Sequence, residues 1–154
     1  MTRVELTVPV EVAAPPEAVW RKVTDWERQG DWMLGTRVRV TSGGDGRRSG
    51  ATLEAVTGVG RIGVTDRMEI VEWTSLRRCV VRHLGRVVRG DGVFEVVPLG
   101  GDRARVLWSE LLDLPMGRLG AIGWRVLRPA FRAGVAQSLR RMARQCEQEH
   151  RRRG

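Results

Sequence analysis

The feature that most constrains the fold is a change in the spacing of apolar residues near Pro115. Before it, short strand-like segments follow one another with glycine-rich turns between them. After it, apolar residues recur at three- and four-residue steps, which indicates a helix. Within residues 36–113 no helical segments alternate with the strands, so a parallel sheet is disfavoured. We therefore expect one α+β domain over residues 1–154, with an antiparallel sheet of about six or seven strands and a long C-terminal helix.

The first predicted strand shows the alternation most clearly. Every second residue of 4–12 is apolar, which indicates a strand with one buried face. Pro9 removes a backbone donor and predicts either a bulge or a free sheet edge. Two short helices follow, one from Pro16 to near Asp25 and one at 26–33. Further strands are predicted around Val38 and Val40 and at 51–57, 62–73, 77–84, 87–97 and 103–113.

The segment after Pro115 predicts a helix with an apolar face and an arginine-rich face. Pro129 lies inside this helix and predicts a kink. Residues 151–153, all arginine, are expected to fray from the helix end. We expect the apolar stripe to pack on the sheet, so that inserting this helix into a membrane would disrupt the fold. The stripe consists of Leu119, Ile122, Val126, Leu127, Phe131, Val135, Leu139, Met142 and Cys146.

The net charge of +9 is concentrated at the C-terminal end of the chain. Residues 114–154 contain ten arginines and only two glutamates. Three roles are open for this charge: a solvated helix face whose arginine stems cover apolar surface, docking on anionic lipid, or contact with nucleic acid. The solvated face is favoured, peripheral membrane contact comes next, and nucleic-acid binding is the weakest of the three.

Composition places the chain among soluble globular proteins. It is 42 % hydrophobic and 29 % charged, and no apolar run approaches the roughly 20 residues that span a bilayer. The alternating N-terminal residues do not form the continuous apolar segment of a secretory signal. Two cysteines, Cys79 and Cys146, are too few for a disulfide scaffold. We therefore expect a cytoplasmic protein.

Residues 10–32, VEVAAPPEAVWRKVTDWERQGDW, resemble the START-like or SRPBCC superfamily, in particular its polyketide cyclase/dehydrase branch. The resemblance implies a helix-grip fold, in which a curved antiparallel sheet wraps the C-terminal helix around an apolar cavity. It also implies diverse functions, because aromatase/cyclases, lipid carriers and ligand sensors share this fold. The residues that carry it are Ala14, Pro15, Glu17, Val19, Trp20, Asp25 and Trp32.

Glu110 is the carboxylate most easily assigned a chemical role. It shares a predicted strand face with Val106, Trp108 and Leu112. If this face lines the cavity, burial would raise the pKa of Glu110, and the acid could serve in aldol cyclisation or dehydration. His83 could assist it or bind a ligand. The opposite face of the strand is nearly as apolar, so Glu110 could also lie outside and pair with an arginine.

The expected cavity wall is mostly apolar and aromatic, as in other small-molecule sites. For each aromatic residue, plain core packing is an equal alternative. The candidate ligand-binding residues are Trp32, Val81, His83, Phe94, Trp108, Glu110, Trp124, Leu127 and Phe131.

Two further patterns do not predict cofactor or metal sites. Residues 58–63 read G-x-G-x-x-G, but a strand follows where a dinucleotide site needs a helix. Cys79, His83, Cys146 and His150 have the ligand types of a zinc site, but their spacing is not that of a common zinc finger. We therefore expect neither cofactor nor metal.

These observations favour binding of a small hydrophobic molecule, lipid-like or polyketide-like, between the sheet and the C-terminal helix. One alternative is a polyketide cyclase or dehydratase that uses Glu110 as acid or base with help from His83. Another is a basic surface module that binds anionic membrane or nucleic acid through the arginine-rich helix.

Overall fold

The computed structural model describes residues 2–59, 61–86 and 88–154. Met1, Gly60 of the glycine pattern at 58–63, and Val87 at the start of the strand predicted at 87–97 lie outside the described residues. The elements are β1 (Thr2–Val12), α1 (Pro16–Val23), a 3₁₀ helix (Trp26–Asp31), β2 (Thr36–Ser42), β3 (Thr52–Val59), β4 (Ile62–Thr74), β5 (Arg78–Leu84), β6 (Arg89–Pro98), β7 (Ala104–Leu114) and α2 (Gly117–Arg153).

The seven strands form one antiparallel sheet in the order β1-β7-β6-β5-β4-β3-β2. Each strand from β2 to β7 pairs with its neighbour in the chain, whereas β1 crosses over to pair with β7. The curved sheet and the long C-terminal helix confirm the predicted helix-grip fold.

Strand β1 lies at a free edge of the sheet. Its register with β7 runs without interruption from Thr2 opposite Leu114 to Val12 opposite Ala104. Of the two alternatives predicted for Pro9, the free edge is therefore correct, and β1 has no bulge at this residue. The predicted buried face is confirmed, since the deepest side chains of β1 are Leu6, Val8 and Val12.

The two short helices form where the sequence predicts them. Pro16 lies in the first turn of α1, where its missing N–H costs no hydrogen bond. Trp20 of α1 packs edge-on against Trp73 of β4, with ring centroids 5.1 Å apart. Trp26 begins the 3₁₀ helix, and its indole N–H donates to the Gly46 carbonyl at 2.9 Å. These contacts fix the short helices against one end of the sheet.

Only the second half of α2 packs fully into the core. Its buried side chains are Val135, Ser138, Leu139, Met142, Ala143 and Cys146. In the first half, by contrast, the large apolar residues Leu119, Ile122, Val126 and Leu127 are exposed. The expectation that the whole apolar stripe packs on the sheet is therefore wrong for the first half. At 3.6 residues per turn, Leu119, Ile122 and Val126 lie on the side of the helix opposite to the buried residues of the second half.

Helix α2 continues through Pro129. Residues 151–153, which were predicted to fray, are helical. Proline in a helix interior removes one backbone hydrogen bond, so Pro129 weakens the helix between its exposed and buried halves. Among the described residues, no helix combines the length and apolar character needed to cross a membrane.

Candidate functional site

A cavity of about 560 Å³ lies between the concave face of the sheet, the segment after the 3₁₀ helix and the middle of α2. It opens to solvent, since its wall includes Val64, which is 62 % exposed, and Phe131. Most wall residues are apolar. The wall consists of Gln29, Met33, Leu34, Thr36, Val38, Leu53, Ala55, Thr57, Val64, Asp66, Met68, Val81, His83, Val88, Phe94, Trp108, Glu110, Leu112, Phe131, Gly134, Val135 and Ser138.

Six of the nine candidate ligand-binding residues line this cavity: Val81, His83, Phe94, Trp108, Glu110 and Phe131. They come from β5, β6, β7 and α2. On β7 the face with Trp108, Glu110 and Leu112 points inward, which decides between the two orientations that the sequence left open.

The structure places Trp32, Trp124 and Leu127 outside the cavity wall. Trp32 is fully buried behind the wall and packs edge-on against Trp108 at 6.3 Å. Trp124 packs on the ring of Phe131, 5.7 Å away, and Leu127 is 63 % exposed. Trp124 is partly buried against the hydrophobic core and Leu127 lies at the surface, so neither contributes to the cavity wall.

A polar cluster of three ionisable side chains interrupts the apolar wall. His83 Nδ1 lies 2.6 Å from Asp66 Oδ2, and His83 Nε2 lies 3.3 Å from Glu110 Oε2. The other Glu110 oxygen, Oε1, accepts a hydrogen bond of 2.9 Å from the indole N–H of Trp108. All three ionisable side chains are largely buried, with exposed fractions of 8 % for His83, 18 % for Asp66 and 12 % for Glu110.

Two glycines of β6 allow this cluster to form. β6 lies between β5, which carries His83, and β7, which carries Glu110. The residues of β6 paired with His83 and Glu110 are Gly90 and Gly92. A Cβ atom at Gly92 would lie 3.2 Å from Glu110 Oε1. The missing side chain of Gly92 leaves the space in which histidine and glutamate meet across β6. Gly90 has a φ of +116° and allows the backbone of β6 to approach the Leu111 carbonyl closely.

His83 is held in its protonated form. Burial alone would lower its pKa, but hydrogen bonds to Asp66 and Glu110 and the charges of these carboxylates outweigh burial and raise the pKa to about 10. Both ring nitrogens then donate, one to each carboxylate. An imidazolium between two carboxylates gives the inner polar region of the cavity a net negative charge.

This arrangement predicts a pH dependence of stability. A pKa raised from 6.5 to about 10 on folding stabilises the native state fully below pH 6.5, and this contribution is lost as the pH rises towards 10. We expect the stability advantage of the native protein over His83→Gln to fall with pH in this window, by about 1.4 kcal/mol per unit at most. Urea unfolding of both proteins at several pH values measures this difference in unfolding free energy. If the unfolding free energies of the two proteins change with pH in parallel, His83 is not the protonated residue of the cluster.

Asp66 was not predicted from the sequence, although the pattern that indicated Glu110 also occurs at Asp66. Asp66 alternates with Val64, Met68 and Ile70 on one face of β4, so it is a carboxylate on an otherwise apolar strand face. The glycine pair in β6 was a second signal, since glycine within a strand often marks a close approach. Leu53 and Ala55 of β3 were missed because any core strand carries such residues.

The cysteines and histidines considered as zinc ligands are not assembled. In the described part of the chain, no group of three or more histidine, cysteine, aspartate or glutamate side chains is arranged to hold a metal ion. Cys79 and Cys146 are free and buried. Burial, with a smaller contribution from Glu72, raises the pKa of Cys79 to about 12. Burial and the charge of Glu149 raise the pKa of Cys146 to about 11. Both residues therefore remain thiols at neutral pH.

Residues 1–147 match the family described as polyketide cyclase / dehydrase and lipid transport. The chain belongs to this family. No curated protein gives a significant match to the sequence.

Solved structures share the fold of this chain at low sequence identity. A Thermus thermophilus protein is similar with a TM-score of 0.74 and 19 % identity, over 93 % of this chain and 97 % of that one. The Zhui aromatase/cyclase from a Streptomyces species has a TM-score of 0.75 and 16 % identity, over 95 % of this chain and 94 % of its own. A START superfamily protein from Mycobacterium smegmatis has a TM-score of 0.68 and 17 % identity, over 97 % of this chain and 99 % of its own. These similarities establish the fold.

Proposed function

We propose that this chain binds a small, mainly apolar molecule in the cavity between its sheet and α2. The observation that carries the proposal is a cavity of about 560 Å³ with an apolar wall and one buried polar cluster. Ligand pockets commonly have this size and this combination of apolar wall and few polar groups. Membership of a family described by polyketide cyclisation and lipid transport is consistent with a lipid-like or polyketide-like ligand.

The polar cluster favours a ligand that donates a hydrogen bond. Two carboxylates surround one imidazolium, so a ligand carboxylate would meet net negative charge. Asp66 Oδ1 is buried and finds no hydrogen-bond partner among the described residues. A hydroxyl or phenol group on the ligand would supply the missing donor, and a buried acceptor gains about 1–3 kcal/mol from being paired. We therefore favour hydroxylated aromatic or aliphatic molecules over fatty acids.

A thermal-shift experiment with matched ligand pairs tests this proposal. Each pair combines a long-chain alcohol with its carboxylic acid, or a hydroxylated polycyclic aromatic with its methyl ether. A ligand at 100 times its Kd adds about 2.7 kcal/mol, which corresponds to a rise in Tm of roughly 5–11 °C at this chain length. We expect the hydroxylated member of each pair to give the larger rise. If no apolar compound raises the Tm, the cavity does not function as a binding site.

Catalysis is the second candidate function, because the two candidate acid–base residues, Glu110 and His83, lie 3.3 Å apart on the wall of the same cavity. In this hypothesis Glu110 exchanges a proton with a polyketide-like substrate during cyclisation or dehydration, and His83 holds the carboxylate in position. Acid–base groups of this kind typically contribute 10²–10⁴-fold to a rate.

The substitution Glu110→Gln separates the two functions. Glutamine keeps the size of the side chain and an acceptor for the Trp108 indole, but it cannot exchange protons. An enzyme is expected to lose roughly 10²–10⁴-fold in kcat. A binding protein is expected to change its Kd by roughly tenfold or less, since one hydrogen bond is altered. Calorimetric titration and product analysis measure the two quantities. Glu69→Gln, on the opposite face of β4, is the control and should change neither.

A further inference from the structure

The first half of α2 exposes a stripe of large apolar side chains. Leu119, Ile122 and Val126 are 70 %, 59 % and 73 % exposed. Because they are three and four residues apart, they lie on one face of the helix. We call residues 117–128 the docking segment. From here on, its apolar stripe means these three exposed side chains only. Contiguous apolar surface of this kind on a soluble domain marks an interaction site.

Arginines accompany the apolar stripe along the same segment. Arg118, Arg125 and Arg128 are exposed and share a second face, since they are seven and three residues apart. The sequence has no aspartate or glutamate between Leu114 and Cys146. The docking segment is thus an amphipathic helix whose polar face is purely cationic.

We infer that the docking segment binds the surface of an anionic lipid bilayer. An interfacial helix places its apolar side chains at the boundary between headgroups and acyl chains, while flanking arginines contact lipid phosphates. The apolar stripe and the arginine face match these two layers. The fully buried side chains of α2 begin at Val135, and Trp124 of the docking segment packs partly buried against the core. Trp124 lies on the side of the helix opposite to Leu119, Ile122 and Val126, so docking through these three side chains leaves the core packing in place.

Charge and composition favour lipid over the other possible occupants. A second copy related by two-fold symmetry would bring two arginine faces together without a carboxylate between them. Nucleic acid would pair with the arginines but would leave Leu119, Ile122 and Val126 in water. Anionic lipid satisfies both faces of the segment.

The docking segment directly precedes the part of α2 that lines the cavity. Phe131 and Gly134, on the next turns of α2, line the cavity wall. Leu34, in the segment before β2, and Val64 of β4 are partly or largely exposed and line the same cavity. A bilayer held by residues 117–128 would therefore lie next to the cavity-lining part of α2.

Co-sedimentation with lipid vesicles tests the inference. We expect the protein to bind vesicles of phosphatidylcholine mixed with phosphatidylglycerol, and to bind vesicles of phosphatidylcholine alone at least tenfold more weakly. Leu119→Ser/Ile122→Ser/Val126→Ser and, separately, Arg118→Ser/Arg125→Ser/Arg128→Ser should each weaken binding to the anionic vesicles at least tenfold. These positions are exposed, so circular dichroism and Tm should stay unchanged. The control Arg140→Ser/Arg144→Ser alters exposed arginines in the second half of α2 and should retain at least half of the binding.

Three results would overturn the inference. The first is that Leu119→Ser/Ile122→Ser/Val126→Ser binds anionic vesicles as strongly as the native protein does, since charge alone would then account for vesicle binding. The second is a native protein that fails to bind anionic vesicles. The third is a concentration-dependent dimer in ultracentrifugation that the stripe variant abolishes, which would assign the segment to self-association. The thermal shift produced by a cavity ligand should remain in every variant, so this inference and the proposed function fail independently.

Discussion

Replacing His83 with leucine is expected to destabilise the protein by roughly 3 kcal/mol or more and to lower its Tm by roughly 6–12 °C. The substitution removes the cation that Asp66 and Glu110 share, at 2.6 Å and 3.3 Å. Two buried carboxylates then face each other without a counter-charge, and an uncompensated buried charge is costly. Thermal unfolding at neutral pH, followed by circular dichroism, measures the loss.

A matched variant distinguishes loss of charge pairing from loss of packing. In Asp66→Leu/His83→Leu/Glu110→Gln no charge remains in the cluster, and the glutamine still accepts from the Trp108 indole. We expect this triple variant to be more stable than His83→Leu, because apolar replacement of a whole buried ion cluster is often neutral. If the triple variant is the less stable of the two, the cost of the single substitution lies in packing and not in charge.

The substitution Ala55→Trp is expected to abolish ligand binding with little change in fold. Ala55 is a buried residue of β3 whose side chain lines the cavity. An indole at this position would occupy space that the ligand needs. We expect at least a 100-fold increase in Kd, or roughly 2.7 kcal/mol, for the compound that gives the largest thermal shift with the native protein. Calorimetric titration of the variant with this compound measures the change.

Val56→Trp is the control for that substitution. Val56 is the next residue of β3 and points to the opposite face of the sheet, because side chains alternate along a strand. The same bulk placed there should leave the Kd within about threefold of the native value. Equal affinity of Ala55→Trp and native protein would place the ligand outside the cavity and contradict the proposed function.

Most of the sheet could be predicted from the sequence, because glycine-rich turns separate its strands. Three strands lie close to their predicted positions. They are β3 (Thr52–Val59, predicted at 51–57), β4 (Ile62–Thr74, predicted at 62–73) and β5 (Arg78–Leu84, predicted at 77–84). Strand alternation also identified the buried face of β1. The pairing of β1 with β7 was not predicted, since alternation within a strand does not specify its partner.

The candidate site was predictable only in part. A carboxylate on an apolar strand face marked Glu110, and Cys79, Val81 and His83 gave the inward face of β5. The sequence suggested His83 as a partner of Glu110, but their contact depends on the register that places Gly90 and Gly92 of β6 between them.

The first half of α2 shows the limit of periodicity as a signal. Apolar residues at helical spacing predict that one face of a helix is apolar, but they do not state what covers this face. Trp124 packs partly buried against the core, whereas Leu127 is exposed, although both continue the three- and four-residue spacing. Over a helix of 37 residues such steps also rotate the apolar positions around the helix axis, so that Leu119, Ile122 and Val126 lie opposite the buried residues.

The pairing of the first strand with the last has a consequence for synthesis on the ribosome. Thr2 pairs with Leu114 and Val12 pairs with Ala104, so β1 has no partner until nearly the whole sheet has left the exit tunnel. Strands β2 to β6 can form hairpins with their neighbours as they emerge. The apolar side chains of Leu6 and Val8 meanwhile remain uncovered on the nascent chain. Contacts of such long sequence separation slow folding, so the oldest segment of the chain is among the last to reach its native place.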